Sequence, residues 1–227
     1  MSYVNGPFTV TNGLVMCLDA GNANSYPGTG TTWTDISNSG NSVVFSSATT
    51  YNSGYFSLSS TTYAGIASNT LLGLPAGSNN FSVGVWFNYN SVASYTAYFE
   101  KQNNAGGVLG TQRLDMGNVG STSYFTTWNN STSAIDQGNF AYTINTGNWY
   151  YGCLTCALSS KICYMNGQPI STSNFNSTWP DNNQALGIGG YIRKINGLLS
   201  NVTVYNRALS PAEVYQNFNA LRGRFGI

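Results

Sequence analysis

The sequence contains no histidine and few charged residues, and both shortages exclude classes of function. With no histidine in 227 residues, the chain cannot build a Ser-His-Asp or Cys-His nucleophile or a zinc site that uses imidazole. Charged residues make up 7% of the chain, with 8 Lys+Arg against 7 Asp+Glu, whereas an average soluble domain has about 25%. Eight scattered cations do not form a phosphate-binding patch, so we predict no nucleic-acid partner.

Long apolar runs and a leader pattern are also missing. The opening MSYVNGPFTV has neither a basic start nor an apolar stretch of signal-peptide length. No stretch approaches the roughly 18 apolar residues that a membrane span needs. We therefore predict that the chain is synthesised in a cytosol and does not insert into a membrane.

Cysteine is scarce, and its spacing leaves two interpretations. The favoured one treats the thiols as small core residues of a protein from a reducing compartment. The alternative is a zinc ion held by four thiolates, but no turn residue separates the central CxxC pair, as a zinc knuckle would require. We predict no metal site from these residues, which are Cys17, Cys153, Cys156 and Cys163.

What the chain has instead is uncharged polarity and aromatic rings. Asn, Ser and Thr make up about a third of the sequence, well above an ordinary mixture. Hydrophobic residues make up 41%, with 16 Tyr, 11 Phe and 5 Trp, which is enough to build a core. Surfaces rich in Tyr, Asn, Ser and Gly make adaptable contacts of low charge.

Alternation with a period of two residues dominates the chain. The clearest run is 81–89, where Phe81, Val83 and Val85 fall on one face and Trp86 on the other, as in a central strand. About a dozen such strands are separated by turns, and three Asn-Gly dipeptides indicate tight hairpins. We predict one all-β domain over 1–227, with the hairpin dipeptides at 12–13, 166–167 and 196–197.

One helix is predicted near the end, over 210–222. Ser210 is a good N-cap, and Glu213 completes a capping box. Gly223 is expected to end the helix in a left-handed conformation. The apolar stripe is expected to pack on the rim of the sandwich; docking on a partner subunit, and hence a homo-oligomer, is the alternative. The stripe consists of Val214, Phe218 and Leu221.

Four segments in chain order resemble laminin-G-like domains of the concanavalin A-like lectin/glucanase superfamily. They are the opening 14–21, the central 81–87, the paired strands 149–155 and 164–167, and the closing 197–213. The resemblance implies a concanavalin A-like jelly-roll β-sandwich of two antiparallel sheets with one short C-terminal helix. Because this fold serves many functions, it does not fix one.

A narrower resemblance concerns the two ends of the chain. The opening Asp19-Ala-Gly-Asn22 and the ending 217–227 are similar to such domains in virion proteins of tailed bacteriophages. This implies a non-enzymatic virion surface protein, a capsid decoration or a tail appendage (tail-fibre) subunit, assembled in the bacterial cytoplasm. Its partners would be other virion proteins in the capsid or tail. The segment 1–10 would be an attachment arm or, alternatively, a strand that closes the sheet.

The alternative function is a stand-alone carbohydrate-binding adhesin for host-surface glycans. A glycan hydrolase is disfavoured, because hydrolysis needs two carboxylates across the cleft. Superfamily glucanases carry them in a Glu-x-Asp-x-x-Glu run, which this chain lacks. The one remaining pair is Glu100 with Asp115, which we expect to be structural. We predict no catalytic residue and no enzyme.

We predict that a recognition face consists of aromatic side chains near turns together with neighbouring polar groups. The candidates are Tyr95, Tyr98, Asp115, Asn118, Trp128, Asn129 and Trp179. We predict no cofactor. Calcium is the alternative, since it needs six to eight oxygen ligands and two clusters offer some. These clusters are Asp19 with Asn22 and Asn24, and Asp115 with Asn118. For Asp19 and Asp35 we favour a turn-fixing role, in which the carboxylate accepts backbone N–H groups.

Overall fold

The computed structural model describes residues 7–66, 74, 78–92, 95–102, 112–129, 134–158, 160–173 and 186–227. For 102, 112–113, 124–129, 134–141 and 173 it describes the backbone alone. Within these ranges there are sixteen strands and one helix. They are β1 Leu14–Asp19, β2 Thr32–Trp33, β3 Val43–Phe45, β4 Thr50–Tyr51, β5 Phe56–Leu58, β6 Ala64–Ile66, β7 Asn80–Ser91, β8 Thr96–Gln102, β9 Gln112–Val119, β10 Thr122–Asn129, β11 Ala134–Thr143, β12 Trp149–Ala157, β13 Ser160–Met165, β14 Gln168–Ser173, β15 Leu186–Ile188, β16 Asn196–Tyr205 and α1 Pro211–Phe225.

The strands form two antiparallel sheets, which confirms the predicted all-β architecture. Sheet A has the order β14-β13-β12-β7-β16-β5-β4, with β1 also paired to β16. Sheet B has the order β11-β10-β9-β8-β15-β6-β3-β2. Neighbours in space are often far apart in the chain, so each sheet is built from distant segments. This places β8, β9 and β15 side by side at the centre of sheet B.

The predicted run 81–89 is confirmed as the centre of sheet A. Phe81, Val83 and Phe87 are fully buried in the cluster between the sheets. Trp86 faces the opposite side and belongs to a second apolar cluster. Because strand side chains alternate between faces, one strand serves both clusters.

Helix α1 covers the outer face of sheet A, rather than its rim. Phe218 stacks on Trp86 with ring centroids 5.7 Å apart, and Phe225 stacks on it at 4.3 Å. The predicted capping box of Ser210 is present. The predicted end is wrong: the helix continues through Gly223 and ends at Gly226, whose φ is 72°. The aromatic contact of Phe225 lies beyond Gly223 and stabilises that extra turn.

The described part of the N-terminal segment, 7–10, docks on α1. The Val10 N–H donates to Asn217 Oδ1 at 2.8 Å, and the Tyr205 hydroxyl donates to the Val10 carbonyl at 3.0 Å. Gln216 donates to the Phe8 carbonyl at 2.7 Å. The last four residues of the segment therefore have partners within the domain. Residues 1–6 of the predicted arm lie outside the described residues.

Two of the local predictions are resolved by backbone geometry. The 166–167 dipeptide forms the β13–β14 hairpin, with φ of 51° at Asn166 and 76° at Gly167. The 196–197 dipeptide does not turn; it begins β16, and Gly197 packs against the backbone of β7, where a Cβ would lie 2.2 Å from the Asn88 carbonyl. That crowding explains the glycine without a turn.

The cysteines do not converge on one point. Cys153 lies beneath helix α1, whereas Cys156 and Cys163 lie between the sheets. Residues three apart in a strand face opposite sides, so the CxxC pair cannot hold one zinc ion. In the described ranges, the helix is also too short and too polar to span a membrane.

Candidate functional site

Two carboxylates, Glu100 and Asp115, lie side by side on the outer face of sheet B. They are paired in register between β8 and β9, and both are fully buried. Glu100 Oε2 accepts the N–H groups of Ile192 and Arg193, at 2.7 and 3.3 Å. Asp115 Oδ2 lies 3.0 Å from Arg193 Nη1. The pair therefore anchors the segment that covers it and does not face an open cleft.

The covering segment is the loop 189–195, which follows β15. Its backbone is tied to β8, because the Ala97 N–H donates to the Arg193 carbonyl at 2.6 Å. At its start, the Gly189 N–H donates to the Tyr98 carbonyl at 2.9 Å. A loop held at both ends and through a side chain loses little conformational entropy on binding a ligand.

Glycines allow this loop to lie directly on the sheet. Gly190 has a φ of 82°, and a Cβ there would lie 2.3 Å from the Arg193 carbonyl oxygen. Gly187 pairs with Gly65, and a Cβ on Gly187 would lie 2.5 Å from the Tyr191 nitrogen. The missing side chains leave room for Tyr191 above the sheet.

Aromatic rings and cations meet along this loop in what we call the tyrosine–cation surface, defined as Tyr63, Tyr95, Tyr191, Arg193 and Lys194. Tyr63 and Tyr191 are in edge contact, with centroids 5.0 Å apart at 83°. Lys194 Nζ lies 5.7 Å from the Tyr63 centroid, and Arg193 Cζ lies 5.1 Å from that of Tyr95. Such distances fit cation–π contact. Tyr95 is 50% exposed, and Lys194 is half-buried.

Burial and the neighbouring ring raise the pKa of the Tyr63 phenol above its ordinary value of 10.0. The cause is desolvation first and the proximity of Tyr191 second. The phenol is therefore neutral at physiological pH and offers both a donor and an acceptor. An edge-to-face tyrosine pair thus combines an apolar ring surface with polar tips.

Of the predicted site residues, Tyr95 lies on this surface, but Tyr98 does not. Tyr98 is fully buried between the sheets and stacks on Phe87, with centroids 4.0 Å apart at 11°. The register of β8 shifts between Ala97 and Phe99, and a bulge of this kind turns consecutive residues to the same side. The prediction that Tyr98 belongs to a recognition face is therefore wrong.

Asp115 and Asn118 do not form an oxygen cluster. They are three residues apart in β9 and so face opposite sides of the sheet. Asn118 is fully buried and pairs in register with Thr96 and Ser123. The proposed calcium ligands therefore diverge.

In the other proposed calcium cluster, the Asp19 carboxylate makes structural contacts. The Asp19 carboxylate is held by the Arg224 guanidinium through both oxygens, and its Oδ1 accepts the Gly21 N–H at 2.9 Å. Asp35 accepts the N–H groups of Cys17 and Asn41, at 2.8 and 2.9 Å. The turn-fixing role of both residues is confirmed. Among the described residues, no three His, Cys, Asp or Glu side chains are grouped so that they could hold a metal ion.

The remaining candidates are described incompletely. For Trp128 and Asn129 the structure describes the backbone alone. In the backbone of β10, residue 128 pairs with Arg113 and residue 129 with Gln112. Trp179 lies outside the described residues. The sequence interpretation missed Tyr63, Tyr191, Arg193 and Lys194. One available signal was the run Gly189-Gly190-Tyr-Ile-Arg-Lys, which contains the one pair of adjacent cations in the sequence.

Comparison with known proteins agrees with this architecture. The family model described as the concanavalin A-like lectin/glucanases superfamily matches residues 58–215. None of the curated protein sequences matches the chain. Domain 4 of AbnA, an extracellular arabinanase of family GH43 from Geobacillus stearothermophilus, solved in complex with arabinotriose, is similar with a TM-score of 0.71 at 16% identity, over 91% of this chain and 98% of that domain.

Binding domains of botulinum neurotoxins are similar as well. The binding domain of neurotoxin DC was solved with rat synaptotagmin II (TM-score 0.70, 16% identity) and with SialylT (TM-score 0.68, 17% identity). The aligned regions cover 94% and 93% of this chain and 52% of each toxin domain. The chain thus spans about half the length of these toxin domains, and at such identities the likeness concerns the fold alone.

Proposed function

Because the chain belongs to the concanavalin A-like lectin/glucanase superfamily, we propose that it binds glycans without cleaving them, and that the tyrosine–cation surface is the contact. The observation that carries the proposal is the edge-paired Tyr63 and Tyr191, held over the glycines of sheet B. Tyrosines supply a large, rigid and amphipathic contact area at low entropic cost. Similar folds solved with arabinotriose and with SialylT support a sugar as the ligand class.

The geometry of the loop supports binding in a prearranged state. Its backbone is fixed by Glu100 and by the Ala97–Arg193 hydrogen bond, so the rings need no reorganisation before contact. Weak sugar affinities depend on such preorganisation, because ordering costs otherwise consume the gain from each stacked ring.

The absence of catalysis in this proposal rests on Glu100 and Asp115. A glycosidase needs one carboxyl that donates a proton and one that attacks or activates water. Here one carboxylate receives two backbone N–H groups and the other faces a guanidinium, and neither has exposed surface. Neither group can meet a glycosidic oxygen while the loop is in place.

For the biological setting we propose the surface of a tailed-bacteriophage virion, with capsid or tail proteins as further partners. The resemblance of the two chain ends and the low charge support this setting. A cryo-EM map of the particle that carries the chain tests it. Copies repeating on the capsid or at the tail are the expected result, and their absence from both would overturn this part.

A glycan microarray tests the binding function directly. The wild-type chain is compared with Tyr191→Ala and with the control Tyr215→Ala, which removes a tyrosine that is 45% exposed on α1. We expect bound glycans for wild type and control, and a loss of about tenfold for Tyr191→Ala, since one packed ring contributes roughly 0.5–1.5 kcal/mol beyond its buried area. Equal binding by all three would place the contact elsewhere.

A further inference from the structure

Most of the described cations of this chain are either paired with a carboxylate or buried. Arg207 is paired with Glu213, Arg224 with Asp19 and Arg193 with Asp115. Lys101 and Lys161 are buried. Arg222 is exposed in the last turn of α1, where the negative end of the helix dipole attracts its positive charge.

Lys194, in the loop over sheet B, is neither buried nor paired with a carboxylate in the described part of the chain. Its ammonium group lies over the Tyr63 ring. The carboxylates beneath the loop, Glu100 and Asp115, are fully buried and turned toward Arg193 and its backbone. The outward side of the tyrosine–cation surface therefore presents positive charge beside aromatic rings.

From this arrangement we infer that the glycan recognised is acidic, with a sugar carboxylate bound by Lys194 Nζ and the sugar ring packed against Tyr63 and Tyr191. The inference rests on the proposed function and names its ligand class. An ammonium group is a compact charge with three donors, which suits one carboxylate at the edge of a stacked ring.

A dense polyanion fits this surface poorly. Binding of nucleic acid or a highly sulfated chain draws on many cations along a track. Among the described residues of this surface, the Lys194 ammonium has no carboxylate partner and stands next to tyrosine rings, so it matches a glycan with one carboxylate per recognised unit. We therefore expect a shallow dependence of affinity on salt, of the order of a single ion pair.

The test uses a microarray that carries uronate- and sialate-bearing oligosaccharides beside their carboxyl-reduced counterparts. The variants are Lys194→Gln, which keeps the length of the side chain approximately, and the control Arg222→Gln, which removes an exposed cation from α1. We expect wild type and control to prefer the acidic member of a pair by about tenfold, as for a hydrogen-bonded charge. Lys194→Gln should bind both members alike.

The outcomes separate the failure of the inference from the failure of the proposed function. Equal or better binding of the reduced glycans by wild type overturns the inference and leaves glycan binding intact. A preference for acidic glycans that survives in Lys194→Gln also overturns it. Binding to no glycan on the array overturns the proposed function and the inference together. A melting temperature equal to that of the wild type, measured for each variant, establishes that the fold is kept.

Discussion

Arg193 and Asp115 form an ion pair, Nη1 to Oδ2, of 3.0 Å across 78 residues of sequence. The aspartate side chain is fully buried and that of the arginine is 13% exposed. The pair holds the tyrosine–cation surface to the centre of sheet B, so it determines where the loop lies. Because the buried carboxylate of Asp115 touches no solvent, the ion pair acts by positioning the loop.

Removing the Asp115 charge should destabilise the fold. Asp115→Asn removes the negative charge from a mostly buried ion pair, which costs about 3 kcal/mol of unfolding free energy. Asp19→Asn is the matched control, because its partner Arg224 is 31% exposed and exposed pairs contribute about 1 kcal/mol or less. Urea unfolding at pH 7 measures both. Equal losses would contradict the anchoring role of Asp115.

A methyl group at Gly190 should disrupt the loop. Gly190→Ala meets two carbonyl oxygens, at 2.3 and 2.7 Å, and has a φ of 82°. Gly120→Ala has a similar backbone strain, with φ at 57°, but no atom within 4 Å. We expect Gly120→Ala to cost about 1 kcal/mol and Gly190→Ala clearly more. Melting temperatures of the two variants compare them, and a Gly190 variant no worse than the control would refute the close contact.

The pairing of Glu213 should make stability depend on acid pH. Hydrogen bonds from Arg207 first, and the capping contacts of Ser210, lower the pKa of Glu213 from 4.5 to about 2. A lowered folded-state pKa stabilises the fold above pH 4.5, and this contribution is lost as the pH falls toward 2. The group is partly exposed, so we expect only about 1 kcal/mol.

Glu213→Gln tests this contribution. Unfolding free energies measured from pH 6 to pH 2 should converge for the variant and the wild type as the pH falls. A gap between them that stays constant down to pH 2 would show that the carboxylate charge does not supply the stabilisation.

Asn217 should couple the N-terminal segment to the helix. Its amide accepts from Val10 N–H and donates to the Tyr205 hydroxyl at 3.0 Å. Asn217→Ala leaves a buried backbone N–H without its partner and should cost about 2 kcal/mol. Asn219→Ala, on the same helix and half-buried, should be close to neutral. Hydrogen exchange at Val10 should accelerate only in the first variant.

The sequence predicts the elements whose signal is local. Alternation over 81–89 identifies β7, and the Ser210–Glu213 spacing identifies the start of α1. Both depend on side-chain periodicity and capping, which require no knowledge of distant residues. The end of α1 depends on Phe225 contacting Trp86, and a glycine pattern alone therefore misplaced it.

The candidate site depends on contacts that no local pattern contains. Tyr63 and Tyr191 are 128 positions apart and meet because β6 pairs with β15. The bulge in β8 turns Tyr98 to the same side as its neighbour Phe99, between the sheets. Such register shifts arise from the pairing of whole strands. Of the predicted residues whose side chains the structure describes, Tyr95 is the one that lies on the tyrosine–cation surface.

The most direct measurement is an amide ¹H–¹⁵N titration of the chain with the tightest-binding glycan from the array. The largest shift changes should fall on residues 191–194 and on Tyr63 and Tyr95, because the sugar would lie over those rings. Shift changes confined to other parts of the chain, such as α1 and the N-terminal segment 7–10, would contradict glycan recognition by the tyrosine–cation surface.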